Sequence, residues 1–169
     1  MKKRVSIILS VILLAVLLAG CTPDSGAGGK TIEGTVEEIL ERIYDGLGED
    51  VQLPFVMNAP LSEDMGVEND GIRITYYLGV TGIPFAEGVA SEAAIGGAYS
   101  ICLLRMEKGA DIEKAKKDIK DNVDPRKWIC YMADVVIVDN IGDLVILIMT
   151  NDETAPGLGQ AIYDSFKAL

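Results

Sequence analysis

The chain has 169 residues and carries 15 Lys and Arg against 26 Asp and Glu, with no His and a net charge of −11. An acidic surface of this kind repels nucleic acid and anionic lipid headgroups, which argues against nucleic-acid binding. The lack of His excludes Ser-His-Asp and Cys-His catalysis and every His-ligated metal site. Three Cys residues are too few for a four-Cys zinc site.

The first 20 residues have the pattern of a bacterial lipoprotein signal peptide. Three cations at positions 2–4 precede an apolar run, 5–18, that is too short to span a bilayer comfortably. The run leads into LAGC, which ends at Cys21 and resembles the lipobox, where signal peptidase II cuts before a Cys that carries diacylglycerol. The alternative is an ordinary cleaved signal followed by a chance Cys.

We therefore predict a signal peptide over 1–20, a flexible tether over 21–31 and a single domain over 32–169. The tether is small, polar and Gly-rich, which is the composition of a flexible linker. Acyl chains on Cys21 would hold the mature protein on the outer face of the cell membrane, and no other cofactor is expected. Removing the cations at 2–4 leaves 12 Lys and Arg against 26 Asp and Glu, a net charge of −14.

The domain begins with a predicted amphipathic helix. Thr35 and Glu38 form a capping box, and apolar residues then recur at helical spacing as far as Gly46 or Gly48. The following segment, 52–71, has a mixed pattern that is interrupted by prolines, with room for a short helix over about 61–65.

Two strands and a long connection are predicted next. Residues 72–80, IRITYYLGV, are rich in β-branched and aromatic side chains, which indicates a strand. Residues 81–90 contain two glycines and a proline and are predicted as a loop. A second strand follows over about 97–106.

The second half of the domain has clearer signals. Asp111 is placed to cap a helix that ends at Asp124-Pro125, because the residue before a proline avoids helical geometry. Residues 134–139 and 143–149 form two strands joined by Asn-Ile-Gly, a hairpin signal. A final helix is predicted over about 155–169.

The continuous apolar run over 144–149 predicts a strand that is covered on both faces. The cover is either a helix on each side or a second subunit, which would make the protein a homodimer. The element order is a helix followed by two strand-strand-helix units. This order predicts an α+β domain with a mainly antiparallel four-stranded sheet and packed helices.

Residues 91–149 resemble a family of small lipoproteins from Gram-positive anaerobic bacteria. The similar features are the lipobox, the Gly-rich turn before a strand, the DPRKWIC corner at 124–130 and the DNIGD hairpin at 139–143. The family's domain is one of unknown function, so no catalytic residue can be carried over. The resemblance implies a Gram-positive source and a lipid-anchored extracytoplasmic domain with no known cofactor.

The stretch NVDPRKWIC, 122–130, is the first candidate ligand site. Trp128 is suited to stack on a sugar or a peptide, and Arg126 is suited to hold a carboxylate. The alternative is structural: Pro125 ends a helix, Arg126 and Lys127 stay exposed to solvent, and Trp128 closes one end of the core. Phe85 lies in a long Gly-rich connection of the kind that often binds ligands, and we hypothesise that this connection and Trp128 flank one surface.

Four carboxylates lie within eight residues, at Glu63, Asp64, Glu68 and Asp70. Oxygen-rich loops bind calcium, but this spacing matches no known calcium loop, and a solvated acidic loop is the simpler interpretation. A third interpretation is a hydrolase, in which two carboxylates face each other in a cleft and one has a raised pKa.

Two cysteines remain in the domain, Cys102 and Cys130. Two thiols outside the cytoplasm can form a disulfide. Both, however, lie in apolar runs, where an unmodified Cys is a common small hydrophobic residue. Both alternatives stay open at the level of the sequence.

Taken together, the sequence predicts a membrane-anchored extracytoplasmic lipoprotein that acts as a non-enzymatic binding or interaction module. Its ligand would be an unknown protein, peptide or envelope component, and no metal site is predicted. The lipobox, the tether, the single domain and the missing catalytic constellation support this hypothesis. The alternatives are a cell-envelope hydrolase that uses carboxylates and a subunit of a larger envelope assembly.

Overall fold

A computed structural model describes residues 31–61 and 70–169. This part of the chain forms four helices and five strands. The helices are α1 (Val36–Asp45), α2 (Asp70–Leu78), α3 (Ile112–Asn122) and α4 (Leu158–Lys167), and the strands are β1 (Val56–Leu61), β2 (Phe85–Ala93), β3 (Tyr99–Met106), β4 (Val135–Ile141) and β5 (Leu144–Thr150). In these two ranges no helix is both long and apolar enough to cross a membrane.

The five strands form one open antiparallel sheet in the order β1-β2-β3-β5-β4. The predicted α+β class and the antiparallel sheet are confirmed. The predicted four-stranded sheet is wrong, because β1 and β2 form an edge that the sequence pattern did not indicate and the predicted strand over 72–80 is helical.

Helices cover both faces of the sheet. Helices α1 and α4 pack on one face, where Ile39, Ile43 and Phe166 meet the inward side chains of β3 and β5. Helices α2 and α3 pack on the other face. Strand β5 is therefore buried along its whole length, as its apolar run predicts, and helices rather than a second subunit provide the cover.

Strand β2 shows why part of the sequence was misinterpreted. Its sequence, FAEGVASEA, is made of small residues with low strand propensity, which is the pattern of a loop. The structure needs small residues there, because a Cβ added to Gly88 would lie 3.0 Å from the side chains of Leu61, Phe85 and Leu104. Strand β1 contains Pro60, which is tolerated at the edge of a sheet.

Helix α2 was predicted as a strand. Over the nine residues 72–80, the spacing of the apolar residues fits both a helix and a strand. The β-branched and aromatic composition favours a strand. In the structure Ile74 and Leu78, four residues apart, are buried against the sheet while Tyr76 is exposed. Tertiary packing therefore decides the conformation against local propensity.

The remaining predicted helices and strands within the described residues are confirmed. The possible short helix over 61–65 lies outside them apart from Leu61, which ends β1. The Thr35 hydroxyl accepts from the Glu38 amide, and the Glu38 carboxylate accepts from the Thr35 amide. Asp111 caps α3 by accepting from the Lys114 amide. The β4–β5 hairpin turns at Gly142, whose φ of 55° suits a residue without a Cβ.

The chain enters the domain at one end of the sheet, which we call the proximal end. Ile32 is buried there, and its carbonyl accepts a hydrogen bond of 3.1 Å from Arg105, near the end of β3. Arg105 also donates to Asp143 in the β4–β5 turn, so the entry point is fixed to the sheet.

We call the opposite end of the sheet the distal end. It consists of the segments 49–57, 93–99, 124–134 and 151–158, together with the adjoining ends of the strands and of α2. Strand β3 has eight residues, so the two ends lie roughly 23 Å apart.

Candidate functional site

A buried ammonium group is the main polar feature of the distal end. Pro125 follows α3 and directs the chain back across the sheet, which places Lys127 between α2 and β2. The Nζ atom of Lys127 lies 3.0 Å from the Glu92 carboxylate and 3.0 Å from the Ser100 hydroxyl. Only 4% of the Lys127 side chain is exposed, so these partners replace water around the charge.

Three aromatic rings complete this environment. The Nζ atom of Lys127 lies 4.5 Å from the ring centroid of Tyr76, 4.6 Å from that of Tyr77 and 4.8 Å from that of Trp128. Each distance is within the range of an attractive cation–π contact. We call the rings, Glu92 and Ser100 the ammonium cage.

The cage is arranged to hold a positive charge. Burial lowers the pKa of Lys127, whereas the neighbouring Cys102 and Glu92 act in the opposite direction. Burial and the charge of Glu92 raise the pKa of both Tyr76 and Tyr77 to about 12, so these phenols stay neutral at pH 7. The Tyr76 hydroxyl donates a 3.1 Å hydrogen bond to Glu92 and helps to hold its carboxylate in place.

The contact between Ser100 and Lys127 has the length found in Ser-Lys catalytic pairs, but its surroundings do not support catalysis. The Ser100 residue has 0% exposure within the sheet, so a substrate cannot approach its hydroxyl. Burial lowers the pKa of Lys127, while the ion pair with Glu92 opposes this shift by favouring the protonated form, which is not a base. The cage is therefore best understood as the contact that fixes segment 124–134 to α2 and β2.

The structure separates Phe85 from the other two predicted ligand-binding residues, Arg126 and Trp128. Trp128 is half-buried in the cage and packs against the core beneath α2 and α3. Its indole nitrogen is buried and has no hydrogen-bond partner among the described residues. Arg126 is exposed nearby. Phe85 begins β2 at the proximal end, seven residues before Glu92 and roughly 23 Å away, so it does not share a site with Trp128.

Other predicted site residues lie partly outside the description. Cys21, Glu63, Asp64 and Glu68 are outside the described residues, and the side chain of Asp70 is not described. Across the described ranges there is no group of three or more Cys, Asp or Glu side chains close enough to hold a metal ion.

The two domain thiols are both free. Cys102 is buried in the sheet and Cys130 is exposed in the distal segment. Burial raises the pKa of Cys102 to about 12, which keeps that thiol protonated and unreactive. Cys102 thus acts as one of the small apolar residues of the core.

The large hydrophobic side chains that remain exposed are concentrated at the distal end. Seven such side chains occur in the described residues, with exposed fractions between 41% and 103%, and all seven lie there. They are Phe55, Met57, Tyr76, Ile95, Ile129, Tyr131 and Met132, and we call them the distal patch.

Contacts between neighbouring segments join the members of this patch. The Phe55 carbonyl accepts from the Ala94 amide at 2.8 Å, which places Phe55 beside the β2–β3 turn. Met57 is the cross-strand neighbour of Glu92, the residue that binds Tyr76.

The segment after the cage completes the distal patch. The Tyr131 hydroxyl lies 3.5 Å from the position that a Cβ on Gly96 would occupy. The Met132 carbonyl accepts from the Asn151 side chain at 2.9 Å. Segments from β1, the β2–β3 turn and the two loops beside β4 and β5 therefore meet at this end of the sheet.

A cleft of about 460 Å³ opens beside the distal patch, on the face of the sheet that carries α1 and α4. The segments 50–54, 96–99 and 154–158 line it. Tyr99, one of the lining residues, donates to the Tyr44 hydroxyl, which donates to Ser91, so these hydroxyls are already paired. The cleft adjoins the patch, since its lining includes chain neighbours of Phe55 and Ile95, but none of the seven patch residues lines it.

The distal end of the sheet is acidic. The distal segments and the adjoining end of β2 contain seven carboxylates and two cations, Arg126 and Lys127. Among the ion pairs of the described residues, the pair between Lys127 and Glu92 is the only one at this end. The six carboxylates outside that pair are Glu49, Asp50, Asp124, Asp134, Asp152 and Glu153.

No family model matches the chain, and comparisons with curated proteins and with solved structures also find no match. The geometry of the distal end is therefore the structural basis for a function. Sequence reasoning identified Trp128, but its prediction that Lys127 stays exposed to solvent is wrong, since only 4% of that side chain is exposed. The partners of Lys127 come from α2, β2 and β3, and these contacts leave no local signal. The apolar residues of 129–132, within a stretch otherwise typical of a loop, were the available signal for the patch.

Proposed function

We propose that this protein is a lipid-anchored extracytoplasmic module that binds another protein or peptide at its distal end. The lipobox at Cys21 and the resemblance to small Gram-positive lipoproteins support the anchor and the location. The absence of a recognisable catalytic motif in the sequence supports a binding role.

The location of the distal patch is the observation that carries this proposal. Exposed apolar side chains are normally scattered over a protein surface, whereas a contiguous group marks a site of interaction. Here the seven described examples share one end of the sheet. The adjoining cleft adds concave surface into which a partner side chain can fit.

The position of the chain entry also supports the proposal. The described chain enters at the proximal end of the sheet, where Arg105 donates a hydrogen bond to the Ile32 carbonyl. An anchor at Cys21 would hold this end closest to the membrane. The distal patch would then face away from the lipid, toward the cell wall or a partner.

The anchor is tested by replacing Cys21 with Ala in the full chain. We expect the natural chain to incorporate labelled fatty acid and to fractionate with membranes, and the C21A chain to incorporate none. A natural chain without the label would overturn the lipid-anchored part of the proposal.

The interaction is tested by placing a photo-cross-linking amino acid at single positions in producing cells. We expect positions 95 and 129, at the distal end, to give a discrete cross-linked product with another protein. Positions 107 and 108, which are exposed at the proximal end, serve as matched controls. Equal products from both ends would contradict a distal binding site.

A further inference from the structure

We infer that the occupant of the distal end is a peptide segment, belonging to another protein, that carries both basic and apolar side chains. This inference rests on the proposed function and specifies the chemistry of the partner. It follows from an apolar centre and an acidic rim in the same region.

The apolar centre requires apolar groups from the partner. Phe55, Ile95 and Ile129 are largely exposed, and covering them removes apolar surface from water. The cleft between the segments 50–54 and 154–158 is open to side chains of a partner. A purely polar partner would leave this surface uncovered.

The acidic rim requires basic groups from the partner. Asp50 lines the cleft itself, and Asp152 and Glu153 lie in the loop that forms its other wall. None of these three carboxylates takes part in an ion pair among the described residues, although Asp152 accepts a 3.0 Å hydrogen bond from the Gly157 amide. Their negative charges can therefore attract a cation. Complementary charge at the rim of an interface steers encounter and selects the partner.

The same charges argue against a second copy of this chain. Two distal ends facing each other would bring two sets of unpaired carboxylates together, on chains that each carry a mature net charge of −14. Like charges across an interface are unfavourable.

An anionic membrane surface is disfavoured for the same reason. The only distal cation outside the cage is Arg126, which is too little to attract anionic headgroups against six carboxylates. The proximal position of the chain entry also places the opposite end of the domain closer to the lipid.

The experiment uses the full chain in nanodiscs of neutral lipid and three fluorescein-labelled hexapeptides. One peptide alternates Lys and Leu, the second alternates Glu and Leu, and the third alternates Lys and Ser. Empty nanodiscs give the background for each. We expect anisotropy to show saturable binding of the Lys-Leu peptide. This binding should be about tenfold tighter than that of the other two peptides, because one lacks the basic groups and the other lacks the apolar groups.

Two pairs of substitutions separate the distal site from general attraction to an acidic protein. We expect Asp50→Asn with Glu153→Gln to weaken Lys-Leu binding about fivefold, mostly at low salt where surface charges are least screened. Glu37→Gln with Glu107→Gln removes two exposed charges outside the distal segments and should leave binding unchanged. Ile95→Ser with Ile129→Ser should weaken Lys-Leu binding without a change in salt dependence.

Several outcomes would overturn the inference. They are equal binding of the Glu-Leu peptide, equal effects of the two charge pairs, and no binding of the Lys-Leu peptide. If light scattering shows a dimer whose interface is the distal end, the occupant is a second copy of this chain and not a peptide of another protein. If cross-linking in cells still occurs at positions 95 and 129 while the Lys-Leu peptide fails to bind, the proposed function stands and only the partner chemistry is wrong.

Discussion

Lys127 joins the distal segment 124–134 to α2 and β2 through a single ammonium group. The charge is held by the Glu92 carboxylate and by the faces of the rings of Tyr76, Tyr77 and Trp128. A buried charge without partners strongly destabilises the folded state, and this cost becomes small only when all of its partners are in place. This contact therefore helps to set the position of the exposed residues that follow Trp128, together with the hydrogen bond from the Asn151 side chain to the Met132 carbonyl.

Replacing Lys127 with Met keeps the length and apolar stem of the side chain but leaves the Glu92 carboxylate without its cation. We expect this change to lower the free energy of unfolding by about 3 kcal/mol, because breaking one partner of a buried pair leaves an uncompensated charge. Urea unfolding of the two proteins at pH 7 measures the difference.

A surface ion pair provides the matched control for this prediction. Lys114, whose side chain is 68% exposed, pairs with Asp118 on α3, and Lys114→Met should cost less than 1 kcal/mol, as is typical of surface pairs. Adding Glu92→Gln to Lys127→Met should recover part of the loss. A neutral effect of Lys127→Met would show that the rings accept an apolar side chain equally well.

Gly79, directly after α2, lies close to the backbone at the end of α3. Its φ is 74°, and a Cβ there would lie 2.1 Å from the backbone oxygen of Asn122. We expect Gly79→Ala to destabilise the protein by about 3 kcal/mol, since the left-handed conformation and the overpacking each contribute. Thermal unfolding followed by circular dichroism measures this loss.

Gly82 separates these two contributions. It has nearly the same φ, 76°, but a Cβ there would meet no atom within 4 Å. Gly82→Ala should therefore cost only about 1 kcal/mol from the backbone conformation. If the two alanine variants were equally stable, the close approach between α2 and α3 would not limit the fold.

At the scale of the elements, Asp139 connects the edge strand β4 to helices on both faces of the sheet. Its carboxylate lies 3.0 Å from the Lys167 ammonium on α4 and 3.6 Å from the Lys116 ammonium on α3. It also accepts a 2.7 Å hydrogen bond from the Tyr163 hydroxyl. One side chain thus stabilises the packing of both helical layers against this edge.

This arrangement predicts a specific dependence of stability on pH. Burial alone would raise the pKa of Asp139, but hydrogen bonds from Tyr163, the Asn140 backbone and Lys167 outweigh it and lower the pKa from 3.8 to about 2. A carboxylate with a lowered folded pKa stabilises the protein above the unfolded pKa of 3.8. This stabilisation is lost as the pH falls toward 2.

Asp139→Asn should therefore lower the free energy of unfolding by about 1–2 kcal/mol at pH 7, less than the full shift implies because the side chain is 26% exposed. The difference from the natural protein should shrink as urea titrations move from pH 4 to pH 2.5. Asp121→Asn, which removes an exposed pair with Lys117, should change stability little at any pH. A pH-independent difference would mean that Asp139 acts only through packing.

The elements also show which parts of the fold can be read from the sequence. Helix α3 and the β4–β5 hairpin have local signals that agree with their tertiary environment, namely a cap, a proline stop and a turn glycine. Strand β2 and helix α2 do not. Gly88 and its small neighbours are selected by close packing against β1 and β3, and Ile74 and Leu78 are buried by the sheet, so these two elements depend on contacts distant in sequence.

The candidate site was predictable only in part for the same reason. Trp128 could be singled out because it is the only Trp of the chain, but its neighbours in space could not. Phe85 was grouped with it because the connection over 81–97 was interpreted as a loop, whereas a strand carries Phe85 to the other end of the sheet. Whether a residue belongs to a site depends on how its strand pairs with the neighbouring strands. The sequence pattern did not indicate this pairing for β2.

At the scale of the whole molecule, the two ends of the sheet have different roles. The proximal end fixes the chain entry through Arg105. The distal end carries the exposed apolar surface and six carboxylates that form no ion pair with any described residue. With an anchor at Cys21, a tether of about ten residues reaches at most about 35 Å, which allows the domain to rotate but keeps its proximal end closer to the membrane on average.

This orientation can be measured with bulky thiol reagents. Cys130 is a natural exposed probe of the distal end. Glu107 is exposed at the proximal end, so Glu107→Cys combined with Cys130→Ser moves the probe to the other end of the domain. In neutral detergent, a maleimide carrying a long polyethylene glycol should label both proteins at similar rates. On membranes we expect Cys130 to keep its rate and the probe at position 107 to react several times more slowly, because the lipid surface excludes the polymer from that end.

The buried Cys102 should stay unlabelled in both proteins, which reports that the fold is intact. Equal rates at both ends on membranes would show that the domain has no preferred orientation, and the distal patch would then be equally available to a partner in the plane of the membrane.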